Sequence, residues 1–209
     1  MRLDDALLYL VTPARIATGD VADMAADLKH AGVDVLQLRE KDMEAGDILR
    51  VGVPLMEACR EAGLPFIVND RPDIAVTMGA DGVHVGQNDL PVEATRGFVG
   101  DKIVGLSTHS TEEVDATAEL WTLLDYVAVG PVNETPTKPG RPGTGLELVR
   151  HAAGTIPLPW FVTGGMSPET LPATIEAGAR RIVVVRAITE AGDPPAMAAR
   201  LKQMLLDVS

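Results

Sequence analysis

At 209 residues the chain has room for one domain or two small ones. A formal charge of −12 and a pI near 4.7 exclude the broad basic face that nucleic acid requires, and they disfavour an anionic membrane surface. Apolar residues make up 46% of the chain and aromatics only 3%, so the core must be built from Val, Leu, Ile, Ala and Met.

The first residues, MRLDDALLYLVTP, place two acids before a short apolar run, the wrong order for a secretory signal. No apolar stretch approaches the roughly 20 residues of a membrane span. The expectation is a soluble, cytoplasmic protein with no nucleic-acid or membrane partner. The single cysteine, Cys59, has no partner for an internal disulfide. It falls in a helical stretch and is expected to be a small buried hydrophobe.

Eight short runs rich in β-branched residues follow one another: LLYLV (7–11), VLQL (35–38), PFIVN (65–69), GVHV (82–85), KIVGLS (102–107), DYVAVG (125–130), PWFVTGG (159–165) and RIVVV (181–185). Between them lie helical stretches such as DVADMAADLKHAG and AGDILRVGVPLMEACREAG. Several stop on a glycine (HAGVD, EAGLP, MGADG, EAGAR), which takes the left-handed conformation that ends a helix. Strands alternating with helices imply parallel pairing. Eight such units, with no composition break and no G-x-G-x-x-G after the first strand, predict an α/β fold. It is a single-domain (β/α)8 TIM barrel spanning 1–209, and its site should lie at the strands' C-terminal ends.

The predicted strand ends carry the chemistry. Strand 2 ends in QLREKD. Alternation puts Gln37, Arg39 and Lys41 on the mouth side and Leu36 and Leu38 toward the helices. Strand 3 ends in Asn69-Asp70 before Pro72, and strand 4 leads to Asp89 before Leu-Pro. Each acid alone reads equally well as a helix cap. On neighbouring strands the two carboxylates can share one magnesium ion, which takes one or two protein carboxylates and completes its shell with water and phosphate oxygens. Strand 5 offers Ser107 and His109. The Pro/Gly-rich stretch after strand 6 carries Thr135, Pro136, Thr137 and Lys138, two hydroxyls and an ammonium suited to phosphate. Gly164 and Gly165 after strand 7, with Val185 and Arg186 after strand 8, stand where barrels of this kind often hold a phosphate. Two anion sites across one mouth would suit a diphosphate and a phosphate substrate.

The motifs QLREKD, VNDRPDIA, GADGVHVGQNDLP, GLSTHS, YVAVGPV with TPTK, GG and VVVRAI occur in order along nearly the whole chain. In these the sequence closely resembles the thiamine phosphate synthase family. The resemblance implies a transferase that joins hydroxymethylpyrimidine diphosphate to thiazole phosphate, with Mg2+ as cofactor and small molecules as partners. It implies that Gln37 and Asn69 contact the pyrimidine, within a binding stretch that includes Leu38 and Glu40. Arg39, Lys41, Ser107 and Lys138 would hold the diphosphate, and Asp70 and Asp89 the magnesium. Thr135, Pro136, Thr137, Gly165, Val185 and Arg186 would take the thiazole phosphate. Asn133 and Glu134 stand where the family usually has an aromatic residue and a proline. Two alternatives stay open: a thiazole tautomerase-like isomerase using His109, and a non-catalytic barrel that binds thiamine-related phosphates. A homo-oligomer is compatible with the sequence, which does not fix the oligomeric state.

Overall fold

A computed structural model describes residues 3–14, 20–134 and 143–208. Eight parallel strands close into a barrel in the order of the chain. They are β1 (Leu8–Thr12), β2 (Val35–Leu38), β3 (Phe66–Asn69), β4 (Gly82–Val85), β5 (Ile103–Thr108), β6 (Tyr126–Val129), β7 (Trp160–Val162) and β8 (Ile182–Val184). The eight expected runs correspond one to one with these strands. The seventh is shorter than its apolar run suggests, because Gly164 and Gly165 turn the chain at φ of 103° and 66°. Gly32, Gly63, Gly79 and Gly178, which the sequence marks as helix stops, all have positive φ.

Period-two alternation divides each strand between two cores. Leu8, Leu10, Leu36, Leu38, Phe66, Val68, Val83, Val85, Val127 and Val129 face outward and are buried under the helices. Tyr9, Val11, Val35, Ile67, Ile103, Tyr126, Phe161 and Val183 face inward and fill the barrel. Leu3 and Ala6, from the segment before β1, join this inner cluster. Two glycines make room inside. A Cβ on Gly82 would lie 2.4 Å from the Ile103 carbonyl oxygen, and one on Gly105 would lie 2.1 Å from the Tyr126 ring.

The strands' N-terminal ends are tied by a recurring aspartate. Asp34, just before β2, accepts hydrogen bonds from the Leu7 and Leu8 N–H groups at 2.7 and 2.9 Å and pairs with Lys202 at 2.5 Å. Asp81, before β4, accepts from Phe66 N–H at 2.8 Å. Asp125, before β6, accepts from Val104 N–H at 2.8 Å and binds Arg96 at 2.7 Å. Each carboxylate takes up donors that the preceding strand leaves at its start, where the ladder has not begun.

Asp34→Ala leaves two strand N–H groups and Lys202 without their acceptor. It should cost about 2–3 kcal/mol and lower the thermal midpoint by roughly 5–10 °C, measured by calorimetry. Cys59 lies on the inner face of the helix Ala45–Glu61 and is fully buried. Burial, helped by the nearby Asp81 charge, pushes its thiol up to about 12. Alkylation at pH 8 should therefore be negligible in the native protein and fast in denaturant, which mass spectrometry would read directly.

Candidate active site

The inward positions nearest the strands' C-terminal ends are not all apolar. Gln37, Asn69, His84 and Ser107 are all buried there, on β2, β3, β4 and β5. They line a cavity of about 480 Å³, its open mouth included, together with Tyr9, Val11, Arg39, Tyr126, Ala128, Thr163, Val183 and Val185.

Its floor is aromatic. Tyr9, Tyr126 and Phe161 meet with ring centroids 5.4 to 5.7 Å apart, both tyrosines edge-on to the phenylalanine. His84 stacks on Tyr126 at 5.5 Å. A continuous chain of hydrogen bonds crosses this floor. Gln37 Nε2 donates to Tyr9 Oη at 2.7 Å, and the two tyrosine oxygens lie 2.8 Å apart. Tyr126 Oη is 2.9 Å from His84 Nδ1, and His84 Nε2 is 2.8 Å from Ser107 Oγ. Burial raises both phenol pKa values well above the ordinary range, so both stay protonated. Gln87 fixes the Ser107 backbone by donating to its carbonyl at 2.7 Å. Asn69 Nδ2 is buried with no acceptor among the described residues. An unsatisfied donor on a cavity wall fits an acceptor on a bound ligand.

The two acids are not helix caps. The helices Pro72–Met78 and Val92–Val99 both begin without a side-chain cap, at Arg71 and Pro91. Asp70 instead takes φ of 62°, a conformation rare outside glycine, with its N–H on the His84 carbonyl at 2.7 Å. Its carboxylate lies 3.1 Å from Lys41 Nζ. Asp89 closes its own loop by accepting from Gly86 N–H at 2.7 Å. Burial raises the Asp70 pKa, and the adjoining Asp89 carboxyl raises it further. Lys41 opposes both without cancelling them. A pair of acids held together against this repulsion fits a cation. Among the described residues no group of three or more His, Cys, Asp or Glu is placed to hold a metal. Two carboxylates with the remaining ligands from water and substrate is the mode of magnesium.

Several other predicted residues have definite positions. Leu38 packs outward, where a Cβ on Gly52 would lie 2.8 Å from it, so its side chain is off the mouth. The Glu40 carboxylate accepts from Ala14 N–H at 2.7 Å and ties the loop after β2 to that after β1. Gly164 and Gly165 admit protein rather than open space. A Cβ on Gly164 would lie 2.5 Å from Pro131, and one on Gly165 would lie 3.0 Å from Asn133. Asn133 clamps this turn, with Nδ2 donating to the Gly164 carbonyl at 3.1 Å. Arg186 is exposed and pairs with Glu190 at 2.9 Å. His109 Nδ1 bonds the Gly130 carbonyl, and its backbone N–H bonds Glu113 at 2.6 Å. Thr135, Pro136, Thr137 and Lys138 lie outside the described residues.

Sequence reasoning missed Tyr9, His84, Tyr126 and Thr163. A signal for the tyrosines existed. The chain has only two, and each interrupts an aliphatic strand.

A closed parallel barrel with a polar cavity at its C-terminal mouth defines a (β/α)8-barrel enzyme. Residues 8–188 match the family described as thiamine monophosphate synthase, and the chain belongs to that family. It is 52% identical to a thiamine-phosphate synthase of Thermus thermophilus over 97% of this chain and 98% of that one. It is 48% identical to one of Mycolicibacterium vanbaalenii over 98% and 96%. Its fold superposes on a thiamine phosphate pyrophosphorylase from Pyrococcus furiosus with a TM-score of 0.84 at 26% identity, covering 97% and 96% of the two chains. No described helix is long and apolar enough to cross a membrane.

Gly105→Ala changes only the space beneath Tyr126, because Gly105 has no positive φ. The added methyl must displace that rigid ring, at about 1–3 kcal/mol. The thermal midpoint should fall by roughly 3–10 °C. Crystallography should show Tyr126 Oη moved from His84.

Proposed function

We propose that the chain is a magnesium-dependent thiamine phosphate synthase, joining hydroxymethylpyrimidine diphosphate to thiazole phosphate with release of pyrophosphate. One observation carries this reading. A single cavity brings buried amides, Gln37 and the unsatisfied Asn69, next to Arg39, and the paired acids Asp70 and Asp89 stand with Lys41 beside it. Amides suit the donors and acceptors of an aminopyrimidine ring, and cations suit its diphosphate. The names of the relatives support the same reading.

In this reading Gln37 and Asn69 orient the pyrimidine, with the backbone of Leu38 and Glu40 completing the stretch. Arg39, Lys41, Ser107 and Lys138 hold the diphosphate. Thr135, Pro136, Thr137, Gly165, Val185 and Arg186 take the thiazole phosphate. Asp70 and Asp89 would hold magnesium, which when bound neutralises diphosphate oxygens. The carbon–oxygen bond to the diphosphate breaks with its electrons leaving on the diphosphate. The pyrimidine amino group supports the cation that develops at the methylene carbon. The thiazole nitrogen then forms the new carbon–nitrogen bond. Arg39, Lys41, Lys138 and Ser107 stabilise the departing charge, and orientation supplies the rest. No side-chain nucleophile is required. The tautomerase alternative is weaker, because the His109 ring is engaged with the Gly130 carbonyl and is not among the cavity's lining residues. We also read the protein as soluble and cytoplasmic, with these small molecules as its partners.

The test combines the purified protein with both substrates and magnesium. Thiamine phosphate and pyrophosphate should appear in equal amounts. EDTA should abolish turnover. Asp70→Asn with Asp89→Asn should lower it by about 10²-fold or more. Asn tolerates the left-handed backbone at 70, so the fold should survive. Folded wild-type protein that makes neither product would refute the reading.

A further inference from the structure

The polar chain beneath the cavity has a direction. Gln37 gives an amide hydrogen to Tyr9 Oη. Tyr9 and Tyr126 are 1% and 0% exposed, and each phenol carries one hydrogen to give. If Tyr126 gave its hydrogen to Tyr9, the Tyr9 oxygen would accept twice and its own hydrogen would find no acceptor along the chain. Buried hydroxyls avoid that state. The hydrogens therefore run one way, from Gln37 to Tyr9, from Tyr9 to Tyr126, and from Tyr126 to His84 Nδ1. With Nδ1 accepting, a neutral imidazole carries its proton on Nε2 and donates to Ser107 Oγ at 2.8 Å. Ser107 Oγ then accepts from beneath, and its own hydrogen is left for the cavity it lines.

We propose that Tyr9, Tyr126 and His84 are positioning residues that hold His84 as its Nε2–H tautomer and so present Ser107 as a hydrogen-bond donor to an oxyanion in the cavity. Five side chains from β1, β2, β4, β5 and β6 act as one unit, and the chain ties the pyrimidine-side amide Gln37 to the diphosphate-side hydroxyl Ser107. A reversed chain would leave Ser107 donating to His84, with only lone pairs turned to the cavity. The opposite sense thus turns a site that welcomes phosphate oxygens into one that repels them. The anion rests on the synthase reading, whereas the tautomer does not.

The first arm is spectroscopic and needs no turnover. Long-range proton–nitrogen correlations on protein labelled with 15N-histidine should show a pyrrole-like Nε2 and a pyridine-like Nδ1 for His84, one of four histidines, identified by its loss in His84→Gln. Tyr126→Phe removes the donor to Nδ1 but keeps the ring that packs on Phe161, so the Nδ1 resonance should move to that of an unbonded pyridine-type nitrogen. Tyr9→Phe leaves Tyr126 donating to Nδ1 but removes the hydrogen bond that Tyr126 accepts, so the Nδ1 resonance should move the same way by less, and this variant serves if Tyr126→Phe does not fold. The second arm is titration with magnesium and pyrophosphate. Tyr126→Phe and Ser107→Ala should each weaken pyrophosphate binding by about tenfold. The double variant should bind no more weakly than Ser107→Ala alone, because the phenol acts through the serine.

A wild-type His84 in the Nδ1–H or doubly protonated form would overturn the proposal. So would an Nδ1 resonance unchanged in both Phe variants, or losses that add in the double variant. A wild-type protein that makes no thiamine phosphate, yet shows the expected tautomer and binding pattern, would overturn the synthase reading and leave this inference standing.

Discussion

Closing eight strands into a barrel gives every strand an inner face that nothing but its own side chains can fill. The rest of this structure depends on that constraint. At the lower levels the space is filled by Val35, Ile67, Ile103 and Phe161, with glycines at 82 and 105 where a larger residue would collide with a neighbour. Nearer the mouth the same inward positions carry Gln37, His84 and Ser107, shut away from bulk water. A buried polar group must find its partner inside, so these residues and the two tyrosines satisfy one another across the barrel. The hydrogen-bonded floor is thus a consequence of closure as much as of any single residue.

The two ends of the barrel do different work. At the strands' N-terminal ends, Asp34, Asp81 and Asp125 each accept the first N–H groups of the strand before them, and two also bind a cation from a helix. These carboxylates are satisfied by the fold. At the C-terminal ends Asp70 and Asp89 are instead set against each other. Asp70 sits beside Asp89 with its pKa raised by burial, and Lys41 offsets part of the repulsion. On the synthase reading, this contrast is what would let an acidic chain hold a polyanion. Several carboxylates elsewhere are engaged in ion pairs and at strand ends, while the mouth carries Arg39 and Lys41 beside a pair of acids suited to a divalent cation.

Asn133 shows how a departure from a family's usual pattern can be absorbed. Where an aromatic and a proline are usual, Asn133 reaches the Gly164 carbonyl and pins the turn after β7. Gly164 and Gly165 have no Cβ to keep Pro131 and Asn133 away. Loops after β6 and β7 are therefore locked by a side-chain amide, with the glycines serving a loop contact.

The sequence by itself determined the eight strands, their parallel order and the mouth as the place for chemistry. The period of two, the glycine stops and the strand count are local, and each strand's residues carry them whatever lies across the barrel. It also marked Gln37, Arg39, Asn69, Asp70, Asp89 and Ser107, because polar residues at the end of an apolar run stand out. What sequence could not decide was whether Asp70 and Asp89 cap helices. A cap and a mouth ligand share the same position before a proline, and only the backbone at Asp70 separates them. Nor did it assign Tyr9, Tyr126 and His84 a role: the two tyrosines stand out among aliphatic strands, but within a strand all three read as packing. Their meaning lies in who faces them across the barrel, from residues 23 to 117 positions away in the chain. Only closure into three dimensions sets those pairs.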